Sequence, residues 1–143
     1  HKIHPELALV FLTHVPEPRI YGVDIKQVPK NAAYLLKERL TDPHLLTSAI
    51  EAAIRDKVGP EYRDDLKPSH PLINVSKTQL EVLRMIARGM SNQDIAEQRG
   101  TSLRAVENLV NRAFAAANIE VKSKMSARVL AAREFIKVAG LPE

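Results

Sequence analysis

The sequence predicts a mostly helical chain with a small α/β part at its start, and three observations carry that prediction. Short apolar runs alternate with helical patterns only in residues 1–57. Prolines and glycines then gather in residues 58–74. Beyond residue 75, serine- and threonine-led segments carry apolar residues at helical spacing with glycines between them. The expected organisation is therefore an α/β unit over 1–57, a linker over 58–74 and a helical domain over 75–143.

The first unit reads strand, helix, strand, helix. Leu7-Ala8-Leu9-Val10-Phe11-Leu12 is a continuous apolar run that predicts a buried strand closing at Thr13. A short helical stretch over residues 19–27 is interrupted by Pro16, Pro18, Gly22 and Pro29 around it. Ala32-Ala33-Tyr34-Leu35-Leu36 predicts a second buried strand, with Lys37 at its C-terminal end. Asp42-Pro43 then opens a helix with proline in the first turn, and Leu45, Leu46, Ala49, Ile50, Ala53 and Ile54 give it an apolar face. Two strands cannot cover both faces and both edges, so two copies are expected to associate through residues 19–57 or to exchange elements. Residues 58–74 hold Gly59, Pro60, Pro68 and Pro71 beside the polar string Glu61-Tyr62-Arg63-Asp64-Asp65, which suits a semi-rigid tether.

Four helices are expected after the linker. Ser76-Lys77-Thr78-Gln79 is a capping box, and Leu80, Leu83, Ile86 and Ala87 follow at helical spacing until Gly89. Ser91-Asn92-Gln93-Asp94 is a second box, whose short helix closes at Gly100. Thr101-Ser102 caps the third helix, with Val106, Leu109, Val110, Ala113, Phe114 and Ala117 forming a core-facing stripe. Met125, Val129, Ala132, Ile136 and Ala139 give the stripe of the last one.

The third helix must then turn Arg104, Glu107, Asn108, Asn111 and Arg112 outward. Arginine suits guanine and phosphate, asparagine suits adenine, and a glutamate accepts from the cytosine amine, so this face could read base edges in a major groove of double-stranded DNA. Residues 75–143 hold eleven basic residues against seven acidic ones, which accounts for the whole net charge of +4. An excess of that size fits a DNA-binding module used as a homodimer.

Composition removes other classes. There is no cysteine, which excludes disulfides and thiolate metal sites and agrees with a cytoplasmic setting. His1, His4 and His14 are too irregularly placed to suggest a metal site. No run reaches membrane-spanning length, so no membrane partner is expected. Neither a phosphate-binding glycine loop nor a nucleophile elbow nor a metalloprotease helix occurs, so no enzyme is expected.

Residues 75–132 resemble the LuxR/FixJ-type helix-turn-helix domain through "EVLRMIARGMSNQDIA", "TSLRAVENLVNRAF" and "VKSKMSARVLAA". That resemblance implies a four-helix DNA-binding fold, with Ser91, Asn92, Lys122 and Lys124 joining the outward residues of the third helix at the DNA. Departures from the family pattern are Gln79 for a glutamate, Gln93, Glu107 and Ala116 for lysines, and Ala105 and Leu109 for threonine and histidine. Fewer lysines imply weaker phosphate binding and flatter salt dependence.

Residues 1–57 resemble the second half of a flavodoxin-like response-regulator receiver through "VFLT", "AAYLLKE" and "LTSAIEAAI". The resemblance implies that Thr13 is the inward-turning hydroxyl, Lys37 the cation that pairs with a phosphoryl group, and Tyr34 the aromatic that moves on activation. The chain would begin inside the receiver, without the acceptor aspartate or the acidic pair for Mg²⁺. It would need no cofactor itself, Mg²⁺ belonging only to an intact receiver, and it could not be phosphorylated as given. The expected function is thus a sequence-specific transcription regulator, the output part of a two-component response regulator whose full-length form answers to a sensor histidine kinase. The alternative is a protein-interaction module on the same fold, with DNA binding weakened or lost.

Overall fold

The computed structural model describes residues 4, 6–119 and 126–140. It divides into two compact units, His1–His70 and Pro71–Glu143.

In the first unit, β1 (Val10–Thr13) pairs in parallel with β2 (Ala33–Leu36), Val10 opposite Ala33 and Thr13 opposite Leu36. The pleat sends alternate residues of β2 to opposite faces. Tyr34 joins Ala32, Val28 and Leu9 on one side. Ala33 and Leu35 join Ala49, Leu45 and Leu46 on the other, beneath α1 (Pro43–Ile54). Asp42 caps α1 by accepting from the His44 N–H, as the Asp-Pro pair predicts. α1 buries Ala49 and Ala53 but leaves Ile50 and Ile54 exposed.

Two expectations change here. The run from Leu7 is not a buried strand throughout: only residues from Val10 onward pair, and Phe11 and Leu12 are 40% and 41% exposed. β1 has a single strand neighbour among the described residues, so its other edge is unpaired there. Residues 19–27 form no α-helix but two 3₁₀ turns, Pro18–Tyr21 and Ile25–Gln27. Each is capped by its own acid, Glu17 and Asp24, and Gly22 ends the first at φ 76°. Pro18 fixes the first turn and Gly22 stops it before a second can form.

Residues 58–70, expected as tether, pack onto the first unit. Arg63 bridges to Tyr34 of β2 in parallel, so the free edge of that strand is partly closed. Next along, the buried Asp64 carboxylate accepts from the Leu36 N–H at 2.9 Å and from Arg39 Nη1 at 2.5 Å, with Lys67 Nζ at 2.6 Å. Asp65 takes Arg63 Nε and Nη2 at 2.9 and 2.7 Å. Glu17, also buried, holds Arg19 Nε and Nη2 at 2.7 and 2.6 Å and faces His70 Nε2 at 3.5 Å. Burial lowers the His70 pKa, and the Glu17 carboxylate opposes that shift.

In the second unit α2 (Lys77–Ala87), α3 (Asn92–Arg99), α4 (Leu103–Ala116) and α5 (Ala127–Ala139) surround one core. Val82 and Ile86 of α2, Ile95 and Ala96 of α3, and Val106 and Val110 of α4 form its centre, with Ala132 of α5 against them. Both α4 and α5 pack on α2, so its buried face is broad and includes Val82 as well as Leu80, Leu83 and Ile86. The face of α5 also differs from expectation. Ala131, Phe135 and Val138 are buried, whereas Val129 is 54% exposed. Phe135 has the greatest bulk, and its burial sets the rotation of the helix. Met125 lies outside the described residues.

Two outcomes test these packing statements. Asp64→Ala strips acceptors from a buried N–H and two cations, and should lower the stability of the first unit by about 2–3 kcal/mol in denaturant titration. The second is a pH effect. Because the native state holds His70 below its unfolded pKa, the unfolded chain binds more protons as the solution acidifies. Stability should be complete above the unfolded value and fall as pH drops from about 7 toward about 5, and His70→Gln should flatten that slope.

Candidate nucleic-acid interface

α3, the turn after it and α4 form the helix-turn-helix, and local chemistry fixes each joint. Ser91 caps α3: its Oγ accepts the Asp94 N–H at 3.1 Å, while the Asp94 carboxylate takes the Ser91 N–H at 2.7 Å. The same carboxylate accepts from Ser91 Oγ at 2.7 Å. Those bonds hold the Asp94 carboxyl below the usual carboxylate range. Gly100 ends α3 at φ 61°, a left-handed conformation that glycine adopts without strain. Ser102 starts α4 by accepting from the Ala105 N–H at 3.2 Å.

α4 has two faces. Val106, Val110, Ala113 and Ala117 are buried, with Leu109 and Phe114 half-buried beside them. Arg104, Glu107, Asn108, Asn111 and Arg112 are all exposed, together on the opposite side. None of these five side chains hydrogen-bonds or ion-pairs with another described residue, so their donors and acceptors face solvent. This is the arrangement that the apolar spacing implies.

The flanking candidates divide. Ser91 is exposed, but its hydroxyl is engaged in the cap of α3, which gives it a structural use whatever it touches besides. Asn92, the first residue of α3, is half-buried and gives its Oδ1 to Arg128 Nη1 at 2.8 Å. Gln93 is tied to Glu97 within α3 at 3.0 Å. Lys122 and Lys124 lie outside the described residues. Arg128 also reaches the Met90 carbonyl in the turn before α3. Sequence reasoning missed it, because nothing in the local pattern marks a contact to a residue 38 positions away.

Of the three receiver-type candidates, Thr13 closes β1 opposite Leu36, Tyr34 lies within β2 and Lys37 follows that strand. Thr13 Oγ1 accepts from the Val15 N–H at 3.0 Å, and the Tyr34 hydroxyl donates to the Val15 carbonyl at 2.8 Å. Burial, with the Asp65 charge adding to it, pushes the Tyr34 phenol up to about 12. Thr13 and Tyr34 thus share one loop residue, while Lys37 is exposed at the start of the 3₁₀ turn Lys37–Thr41. Among the described residues no three His, Asp or Glu side chains are placed to hold a metal ion, and no helix is long and apolar enough to cross a membrane.

Residues 74–131 match the family described as bacterial regulatory proteins, luxR family. Across both units the chain is 29% identical over 120 residues to the oxygen regulatory protein NreC of Staphylococcus haemolyticus (strain JCSC1435). Residues 74–131 thus carry a luxR-family domain, and the chain as a whole is similar to that regulatory protein. The NreC match covers 80% of this chain and 52% of the relative, so the chain spans about half the length of that protein. No solved structure matches it significantly. The family match ends at Ala131, inside α5, and contains the whole of α2, α3 and α4.

One substitution checks the orientation of α4. Val106→Asp puts a carboxylate at a fully buried core position and should abolish cooperative unfolding of the second unit, visible as loss of helical circular dichroism at 25 °C. Asn108→Asp, on the opposite face, should leave the same signal unchanged.

Proposed function

We propose that this chain is a sequence-specific DNA-binding transcription regulator of the LuxR type, the output part of a two-component response regulator. The observation that carries the proposal is the exposed face of α4, with two arginines and two asparagines that have no partner among the described residues, opposite the stripe that holds the buried Val106, Val110 and Ala113. Insertion of that face into a major groove would put Asn108 and Asn111 at base edges, with Arg104 and Arg112 reaching guanine or phosphate. Ser91 and Asn92 would approach the backbone from α3, and Lys122 and Lys124 would add charge. Operators for such modules are commonly twofold, and a homodimer on double-stranded DNA is the form we propose. The first unit is read as the end of a receiver, its last two strands and closing helix with 3₁₀ turns in place of the helix between them, through which a sensor histidine kinase would act on the full-length protein.

A second reading is favoured by one feature. Glu107 is an exposed carboxylate among the reading residues, and Gln93 brings no charge to α3. A face altered in this way would also serve protein recognition on a retained fold.

Titration of the full chain on promoter fragments at two salt concentrations separates the readings. Sequence-selective binding that weakens with salt supports regulation of transcription, and no shift even at low salt supports the interaction module. Within the first reading, Asn108→Ala or Asn111→Ala should each cost about 1–3 kcal/mol and relax preference at one base pair. Glu107→Lys should tighten non-specific binding and steepen its salt dependence. An unchanged affinity would show that α4 does not lie at the phosphates.

A further inference from the structure

α5 supplies more than core residues. Arg128 sits in its first turn and spans to the segment between α2 and α3, where Nη2 meets the Met90 carbonyl and Nη1 meets Asn92 Oδ1 at 2.8 Å. A guanidinium has donors and no acceptor. The atom of the Asn92 amide that faces Arg128 must therefore be its oxygen, which leaves the two N–H bonds on the far side. Those N–H groups donate to no other described residue. Asn92 opens α3, where the backbone dipole already favours an anion.

We propose that Arg128 is a positioning residue for DNA binding: it turns the Asn92 amide so that its N–H donors, and not its carbonyl, meet a backbone phosphate. This rests on the DNA-binding reading above. The terminal torsion of an asparagine is broad and roughly twofold, so a free amide would present either end to solvent. One of those ends is a carbonyl oxygen, which repels a phosphate. Arg128 removes that choice from a helix away, and its charge stays in place at the Met90 carbonyl.

The test uses the full chain and a mixed-sequence DNA duplex at low and moderate salt, with thermal unfolding of every variant alongside. Asn92→Ala should weaken binding about tenfold at both salt concentrations and leave the salt slope nearly unchanged, because a neutral amide releases no counterion. Arg128→Ala should weaken the wild type by a similar factor, yet add little in the Asn92→Ala background. Asn92→Asp keeps an acceptor for Arg128 and should hold or raise the melting temperature while losing affinity at least as strongly as Asn92→Ala. That split between stability and binding is not what a purely structural contact gives. Equal losses from Arg128→Ala in both backgrounds would overturn the proposal, as would wild-type affinity in Asn92→Asp, which needs no change at Arg128. If the wild type itself fails to bind at low salt, the DNA-binding reading falls and this inference with it. Wild-type binding without coupling removes the inference alone.

Discussion

The second unit depends on burying one stripe of α4. Val106 and Val110 pack in one cluster with residues of α2 and α3, Ala113 is buried beside them in the stripe, and a fully buried valine contributes roughly 1.5–3 kcal/mol relative to exposure. Once that stripe is inside, the rotation of α4 about its axis is settled, and so is the set of side chains on its outer face. A slip of one residue would rotate the helix by about 100° and exchange Asn108 for a neighbour in the core. The serine caps prevent such slips. Ser76, Ser91, Ser102 and Ser126 each accept from a first-turn N–H of their helix, so every helix of the unit starts at a position fixed by its own side chain.

That locality explains what could be read in the sequence. Capping boxes at Ser76 and Ser91 and the left-handed glycine at Gly100 act over three or four residues, and a linear pattern carries them whole. The face of α4 follows from periodicity because nearly all its apolar residues lie on one side. α5 is different: it has apolar residues on two overlapping stripes, and only the fit of Phe135 into the bundle decides between them. Arg128 was invisible for a related reason, since its partners at Met90 and Asn92 come close only after α5 has docked. Sequence shows what a helix is, and packing shows which way it faces when the pattern allows two answers.

The first unit reverses the usual link between polarity and exposure. Arg63, Asp64 and Asp65 look like a solvated string, yet all three are buried. Each charge there has a partner of opposite sign, and Asp64 also takes the N–H of Leu36 at the end of β2. The region thus substitutes for a neighbouring strand by offering carboxylate oxygens and one backbone bridge to an edge that would otherwise be bare. Such pairs add little net stability over apolar packing, but they are unforgiving of the wrong register, because a misplaced segment leaves a charge buried alone. The apolar runs were legible as strands, whereas the residues that complete the sheet were hidden by their own hydrophilicity. The proline-rich crossover before β2 follows the same logic, with Glu17 buried as the anchor of Arg19 and not displayed.

Glu107 gives the outer face of α4 its particular character. Beside a duplex, a carboxylate is repelled by every phosphate it approaches and is compensated only where a cytosine amine lies within reach. On the proposed DNA-binding reading, Arg104 and Arg112 would attract any sequence through the backbone and raise specific and non-specific binding together. Glu107 would act on the difference, weakening both and being compensated at a matching base alone. Specificity is a ratio of affinities, and lowering the weaker one serves it as well as raising the stronger. On that reading, a face with two arginines, two amides and one acid would favour discrimination at modest affinity. Such a module gains most from being doubled on a twofold site, where two modest contacts multiply.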